Sequence, residues 1–205
     1  LPSVSIDALP SPALGRLVYK ILYPRADGIL CNARVVAAAL ARECGVAPAR
    51  IHLIDNPVDV ARIRAAATPS IRTGGAGPRF VAAGRLTRQK GFDRLIDLFA
   101  ALAPDTQLTI LGDGPAGAAL VPRAAARGVV GRVSFAGFQA QPWPFYAGAD
   151  AFLLPSRWEG MPNAALEALA QEYGAGFLER VEGNVVSREG KAAAVAGKVE
   201  LGEAD

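Results

Sequence analysis

From Phe80 onward, short apolar runs alternate with segments of helical period, and this alternation limits the fold more than any other feature of the chain. Runs at 80–83, 107–111, 133–136 and 151–154 read as strands. After the first of them, Phe92, Leu95, Ile96, Phe99 and Leu102 share one helical face, with Asp93, Arg94 and Asp97 on the other. The stretch after 112–115 contains Pro122, which predicts a helix that breaks or begins there. A short helix is expected at 143–149, and another opening at Pro162. Strands and helices joined by loops this short predict an α/β protein with a doubly wound parallel sheet, four strands wide over 79–170.

The pattern before residue 79 is sparser. Residues 1–12 are rich in Pro and Ser and are expected to be irregular. Residues 14–24 have helical apolar spacing with Arg16 and Lys20 between. That suits a helix packed on a sheet, or a basic face resting on a membrane surface. A strand follows at 28–31, then a helix over 33–44 with Asn32 as its N-cap and Gly45 as its stop. A second strand, 51–54, holds the single histidine, His52, expected on a strand face rather than in chemistry. The Gly/Pro/Ser/Thr-rich segment 67–78 reads as a linker. The expected organisation is therefore 1–66, a linker at 67–78, a main domain at 79–170, and an unassigned polar tail at 171–205. With nothing expected beyond it, strand 151–154 would leave an open sheet edge.

Composition excludes several classes of function. Half of the residues (51%) are apolar, enough for a core, but no run of them is long enough to span a membrane. The N-terminus lacks the basic, apolar and small-residue segments of a signal peptide, so a cytoplasmic location is expected, with the inner face of the membrane left open. Cys31 and Cys44 suit free buried thiols rather than a disulfide framework or metal site. Residues 1–170 carry 18 Lys+Arg against 12 Asp+Glu, whereas 171–205 carry 4 against 7. A mildly basic body suits an anionic ligand or an anionic membrane surface. No basic run or aromatic ladder points to nucleic acid.

Ligands of such sheets bind beyond the carboxyl ends of the strands, where loops enter helices. The loop Gly84-Arg85-Leu86-Thr87-Arg88-Gln89-Lys90-Gly91 puts cations just before a helix start, a setting that fits a diphosphate; a charged surface loop reads the same way. Gly112-Asp113-Gly114-Pro115 is a tight turn. In Ser156-Arg157-Trp158-Glu159-Gly160-Met161-Pro162-Asn163, Glu159 lies just ahead of a helix start. Glu167 lies five residues beyond Pro162, about 7.5 Å along the axis. Carboxylates flanking a helix N-terminus suit a molecule with hydroxyls at both ends and an anion between, such as a nucleotide sugar. A loop Glu and a surface Glu are the plain alternative.

The stretches VAAGRLTRQKGFDRLIDLFAAL, LTILGDGP, RVSFAGF and FYAGADAFLLPSRWEGMPNAALEALA, in that order, resemble the donor domain of the glycosyltransferase family 4 group. The form EGxPNxxLE is the most distinctive part. Residues 26–60 resemble the end of that family's acceptor domain. The resemblance implies a GT-B fold: the Rossmann-like donor half with a remnant of the acceptor domain, the family pattern being cut short at both ends. It implies that Arg85 and Lys90 bind the donor diphosphate, and that Glu159 binds donor-sugar hydroxyls beside the reacting carbon. Gly160, Met161, Pro162 and Asn163 would line sugar and phosphate, and Glu167 would hold the ribose. Gly84, Gly112, Asp113, Gly114 and Phe138 would complete the nucleotide site. No metal and no cofactor are implied.

The implied reaction is transfer, with retention, of a hexosyl group from a nucleoside-diphosphate sugar, uridine favoured, to a glycan or lipid-linked acceptor in cell-surface polysaccharide assembly. The implied partners are that donor and that acceptor, with peripheral membrane contact left open. A non-catalytic nucleotide-sugar-binding remnant and a nucleotide-sugar epimerase are the alternatives. His52 does not match the family's catalytic-region histidine.

Overall fold

The computed structural model describes residues 12–173, 186–188 and 191–194, and the chain divides between Pro57 and Val58 into two units. The expectation of an irregular opening lies outside the described residues except at Pro12, which begins a helix.

The first unit holds helix α1 (Pro12–Leu22), strand β1 (Ile29–Cys31), helix α2 (Arg34–Cys44) and strand β2 (Ile51–Leu53). β1 and β2 pair in parallel, Ile29 opposite Ile51 and Cys31 opposite Leu53. Gly45 ends α2 with φ 69°, a left-handed stop that glycine adopts without a Cβ penalty. Asn32 is not the N-cap expected of it. Ala33 takes that position without a side-chain bond, and the Asn32 amide donates instead to Asn56 Oδ1 at 3.1 Å. His52 lies exposed on β2. Cys31 and Cys44 are free, but half-buried rather than buried, because the two-stranded sheet is too small to cover them.

The second unit begins with helix α3 (Val60–Ala66), which the sequence reading left unassigned. Asp59 caps it by accepting from the Arg62 amide at 3.0 Å. Ile63 and Ala67 bury in the same cluster as Trp143, Ala165 and Ala168. That burial places 58–66 with the second unit and moves the division ahead of the expected linker. The segment 67–78 is itself packed. The Ile71 amide donates to Pro144 O at 2.8 Å, and a Cβ on Gly148 would lie 2.0 Å from Ile71 O.

Strands β3 (Arg79–Ala83), β4 (Gln107–Leu111), β5 (Val133–Gly137) and β6 (Ala151–Leu153) form the parallel sheet read from the alternation. Helices α4 (Phe92–Phe99), α5 (Gly117–Ala126), α6 (Trp143–Gly148) and α7 (Asn163–Tyr173) connect or follow them. Phe92, Leu95, Ile96 and Phe99 of α4 bury against Leu108 and Ile110, as their three- and four-residue spacing requires. Leu102 lies beyond the helix and is exposed.

Pro122 neither breaks nor starts α5; it sits inside it. The missing amide bond costs about 3 kcal/mol in a helix interior. Burial of Leu120 and Ala124, and the Arg123 ion pair to Asp97 on α4, offset it.

The sheet does not end at β6. Strand β7 (Val186–Arg188) and strand β8 (Lys191–Ala194) extend it in the order β5-β4-β3-β6-β8-β7. β8 runs parallel to β6, with Ala151 opposite Ala192, and β7 runs antiparallel to β8. The expected open edge at 151–154 is thus covered by part of the expected polar tail. Three alanines in a row carry no β-branched or alternating signal, which is why the run did not read as a strand. The other residues of 174–205 lie outside the described residues.

Candidate functional site

The crevice of an open α/β sheet lies where the strand order turns back on itself. β3 has β4 on one side and β6 on the other, so the turning point falls between β3 and β6. The loops that leave the sheet there are 84–91 and 154–162, the two that the sequence singles out for charge.

In the first loop, Leu86 is buried and pins the middle, while a 3-10 turn (Arg88–Lys90) lifts Lys90 toward the second loop. Gly91 follows with φ 68°, and a Cβ there would lie 2.1 Å from Pro155 O. Glycine is therefore required twice over, by conformation and by contact. The two loops are also joined by the Arg157 amide donating to Gln89 O at 2.8 Å and by Gln89 Nε2 donating to Trp158 O at 3.1 Å.

Lys90 and Glu159, 69 residues apart in sequence, meet here. Lys90 Nζ donates to Glu159 Oε1 at 2.5 Å, with the side chains 22% and 14% exposed. Ser156 Oγ donates to the same oxygen at 2.6 Å. Charge-assisted bonds of this length, with little solvent access, are stronger than a surface ion pair. Arg85 is exposed, and its side chain takes no hydrogen bond or ion pair among the described residues.

α7 begins at Asn163, one residue later than expected, and Pro162 O accepts from the Ala165 and Leu166 amides at 3.1 Å each. The first turn of a helix leaves amide hydrogens free for an anion. Met161 and Pro162 are half-buried, whereas Gly160 and Asn163 are exposed. Glu167 is one turn further on. Its Oε2 accepts from Trp143 Nε1 at 3.0 Å, so it is anchored to α6 and not to the Lys90 group. Burial, with the Glu167 charge nearby, pushes the Tyr146 phenol far above its usual range.

The remaining predicted residues form a backbone floor beside this group. The Gly112 amide donates to Gly137 O at 2.7 Å, and the Gly84 amide to Leu111 O at 3.0 Å. Asp113 O accepts from the Leu86 amide at 2.9 Å, and its Oδ2 accepts from the Phe138 amide at 3.0 Å. A Cβ on Gly114 would lie 2.5 Å from Leu86 O. The Phe138 ring is exposed.

Sequence reasoning missed the side chains that hold this arrangement: Ser156 on Glu159, Trp143 on Glu167, and Arg157 with Asp93. Arg157 binds Asp93 bidentately, at 2.8 and 2.7 Å. For Ser156, Arg157 and Asp93 the only sequence signal was position in or beside a charged motif, and Trp143 carried none. Among the described residues no group of three or more His, Cys, Asp and Glu stands close enough to hold a metal ion. None of their helices is long and apolar enough to cross a membrane.

A family model described as Glycosyl transferases group 1 matches residues 69–173, and one described as Glycosyltransferase Family 4 matches residues 4–62. The chain is 35% identical over 145 residues to the lipopolysaccharide core biosynthesis glycosyltransferase LpsE of Rhizobium meliloti (strain 1021), covering 71% of this chain and 42% of that protein. It is 28% identical over 158 residues to an N-acetylgalactosaminyltransferase of Campylobacter jejuni that acts on a diphospho-undecaprenol-linked sugar, covering 77% and 42%. The chain spans less than half the length of these curated relatives.

Among solved structures, Anabaena Alr3699/HepE in complex with UDP-glucose superposes with a TM-score of 0.67 at 20% identity, over 87% of this chain and 53% of that one. That likeness speaks to the fold, an α/β architecture with parallel sheets shared with GT-B glycosyltransferases. Since the first match takes in more than half of the 205 residues, the chain belongs to the glycosyl transferases group 1 family.

Proposed function

We propose that the second unit is the donor-binding half of a glycosyltransferase that moves a hexosyl group, with retention, from a nucleoside-diphosphate sugar to a glycan or lipid-linked acceptor. A UDP-sugar is the favoured donor and cell-surface polysaccharide assembly the favoured setting. The observation that carries this reading is the Lys90–Glu159 pair at the turning point of the sheet, just ahead of the start of α7. The LpsE and HepE likenesses support the setting and the uridine base.

On this reading the donor parts the pair: the diphosphate takes Lys90 while hydroxyls of the sugar take Glu159. Arg85, unpaired among the described residues, closes on the phosphates. The bond from the anomeric carbon to the diphosphate oxygen breaks as the acceptor oxygen bonds to that carbon. The acceptor's proton passes to an oxygen of the departing diphosphate. Negative charge then grows on the diphosphate, where Lys90, Arg85 and the positive end of the α7 dipole answer it. Glu167, held by Trp143, fixes the ribose, and Phe138 lies against the base. Gly84, Gly112, Asp113, Gly114, Gly160, Met161, Pro162 and Asn163 shape the walls.

A peripheral membrane contact is supported by Leu17, Ile21 and Leu22, exposed on α1 beside Lys20. Co-flotation with anionic vesicles, lost in Leu17→Ser/Ile21→Ser, tests it. The donor site is tested by calorimetry with UDP, GDP and uridine. UDP is expected to bind more tightly than uridine, and absence of binding by both diphosphates overturns the proposal.

A further inference from the structure

The turn that carries Lys90 is gripped from both ends by one side chain of the opposite loop. Arg157 Nη1 donates to Arg88 O at 2.7 Å, on the near side of Lys90, and to Asp93 Oδ1 at 2.8 Å, on the far side. Nη2 completes the fork to Asp93 Oδ2 at 2.7 Å. The two Nη1 hydrogens are thereby both used, and three of the five guanidinium hydrogens go to the protein. Asp93 is ionised throughout the working range: the hydrogen bonds from Arg157 hold its carboxyl down at about 2. Arg157 stands two residues before Glu159, and Arg88 two before Lys90. A change in the grip therefore changes the gap between the ammonium and the carboxylate.

We infer that Arg157, acting through Asp93 and the Arg88 carbonyl, is a positioning residue that sets the distance between Lys90 and Glu159 and so the fit of the donor diphosphate. The inference rests on the donor-site reading above. A planar fork reaches two carboxylate oxygens and a carbonyl at once; a lysine ammonium in its place cannot hold all three in one plane. The bonds from the Arg157 amide to Gln89 O and from Gln89 Nε2 to Trp158 O do not involve the Arg157 side chain and survive its substitution, so the loops stay together while the gap loosens.

UDP and uridine are titrated calorimetrically into the full chain and into Arg157→Ala, Arg157→Lys and Asp93→Asn, each checked for its thermal midpoint. Arg157→Ala is expected to weaken UDP about tenfold and to leave uridine within about twofold, because a misplaced charged group affects only the ligand that carries the phosphates. Arg157→Lys keeps the charge and is expected to recover less than half of the loss. Asp93→Asn is expected to fall on the same side as Arg157→Ala, and the double variant Asp93→Asn/Arg157→Ala to lose no more than the worse single one.

A role in folding alone would lower the midpoint and weaken both ligands equally, and that result overturns the inference. So does full recovery by Arg157→Lys, or parent-like UDP affinity in Arg157→Ala. Failure of the parent to bind UDP removes the donor site, and the inference with it. Parent binding with an indifferent Arg157→Ala removes the inference alone.

Discussion

Along the carboxyl edge of the sheet, the loops after β5, β4 and β3 are joined by main chain, whereas the junction between the β3 and β6 loops is closed largely by ionised side chains. On the first side, backbone amides meet carbonyls, and Gly112 lets the Gly84 carbonyl approach to where a Cβ would lie only 2.0 Å away. Across the junction, Lys90 meets Glu159 and Arg157 meets Asp93. Backbone contacts made through glycine fix geometry and offer little to a ligand. Charged pairs can be exchanged for a ligand's own charges. The floor and the working wall of the site are therefore built from different chemistry, and they should fail differently.

The largest effect is expected on the floor. Gly112 has φ 131° and a crowded Cβ position, so Gly112→Ala should destabilise the second unit by roughly 2–5 kcal/mol, seen as a lower urea midpoint. Gly128 has φ 68° but open space around it, and Gly128→Ala should lose only about 1 kcal/mol. Equal effects would mean that conformation, not close approach, selects glycine here.

On the working wall, Lys90→Ala should lower the midpoint less than Gly112→Ala does, through the Glu159 carboxylate it leaves unpaired, and weaken UDP by about 2–4 kcal/mol while sparing uridine, with the deficit shrinking as salt rises. A parallel loss for uridine would return Lys90 to the role of a structural clasp.

Glu167 tests whether the distinction reaches the far end of the site. Glu167→Ala should weaken UDP and uridine alike, by about 1.5–3 kcal/mol, because both carry the ribose. Unchanged affinity would leave Glu167 as the partner of Trp143 and no more.

The smallest effect is in pH. Asp93 titrates at about 2 in the folded chain against its ordinary 3.8. A lowered folded pKa gives stability that is complete above the ordinary value and lost as pH falls through the folded one. From about pH 5 to about pH 2 the parent's thermal midpoint should therefore fall further than that of Asp93→Asn, which lacks this contribution throughout. Identical slopes would show that the Arg157 pair is worth nothing to the fold.

The floor was legible in the sequence and the clasps were not. Period and turn residues report local conformation, so α4, β4 and the glycine turn at 112–114 could be read from the residues alone. β8 escaped because Ala192, Ala193 and Ala194 satisfy a strand without preferring one, and its partner Ala151 lies 41 residues earlier. α3 escaped because Ile63 is the one fully buried residue of its seven, too few to set a period. Lys90 and Glu159 were each visible as chemistry, but the bond between them spans 69 residues and exists only after the sheet has brought the two loops together. Arg157 and Asp93, 64 residues apart, looked like ordinary surface charges for the same reason.

On the proposed reading, the Lys90–Glu159 contact also works as a filter. Glu159 is a resident anion tethered beside the ammonium, present at a high effective concentration. A small anion such as phosphate or chloride must displace it and leaves a carboxylate stranded, 14% exposed and short of water. A nucleotide sugar brings an anion for the ammonium and hydroxyl donors for the carboxylate together. On the proposed reading the pair responds only when both arrive on one molecule, so it behaves as a coincidence detector rather than a simple anion trap.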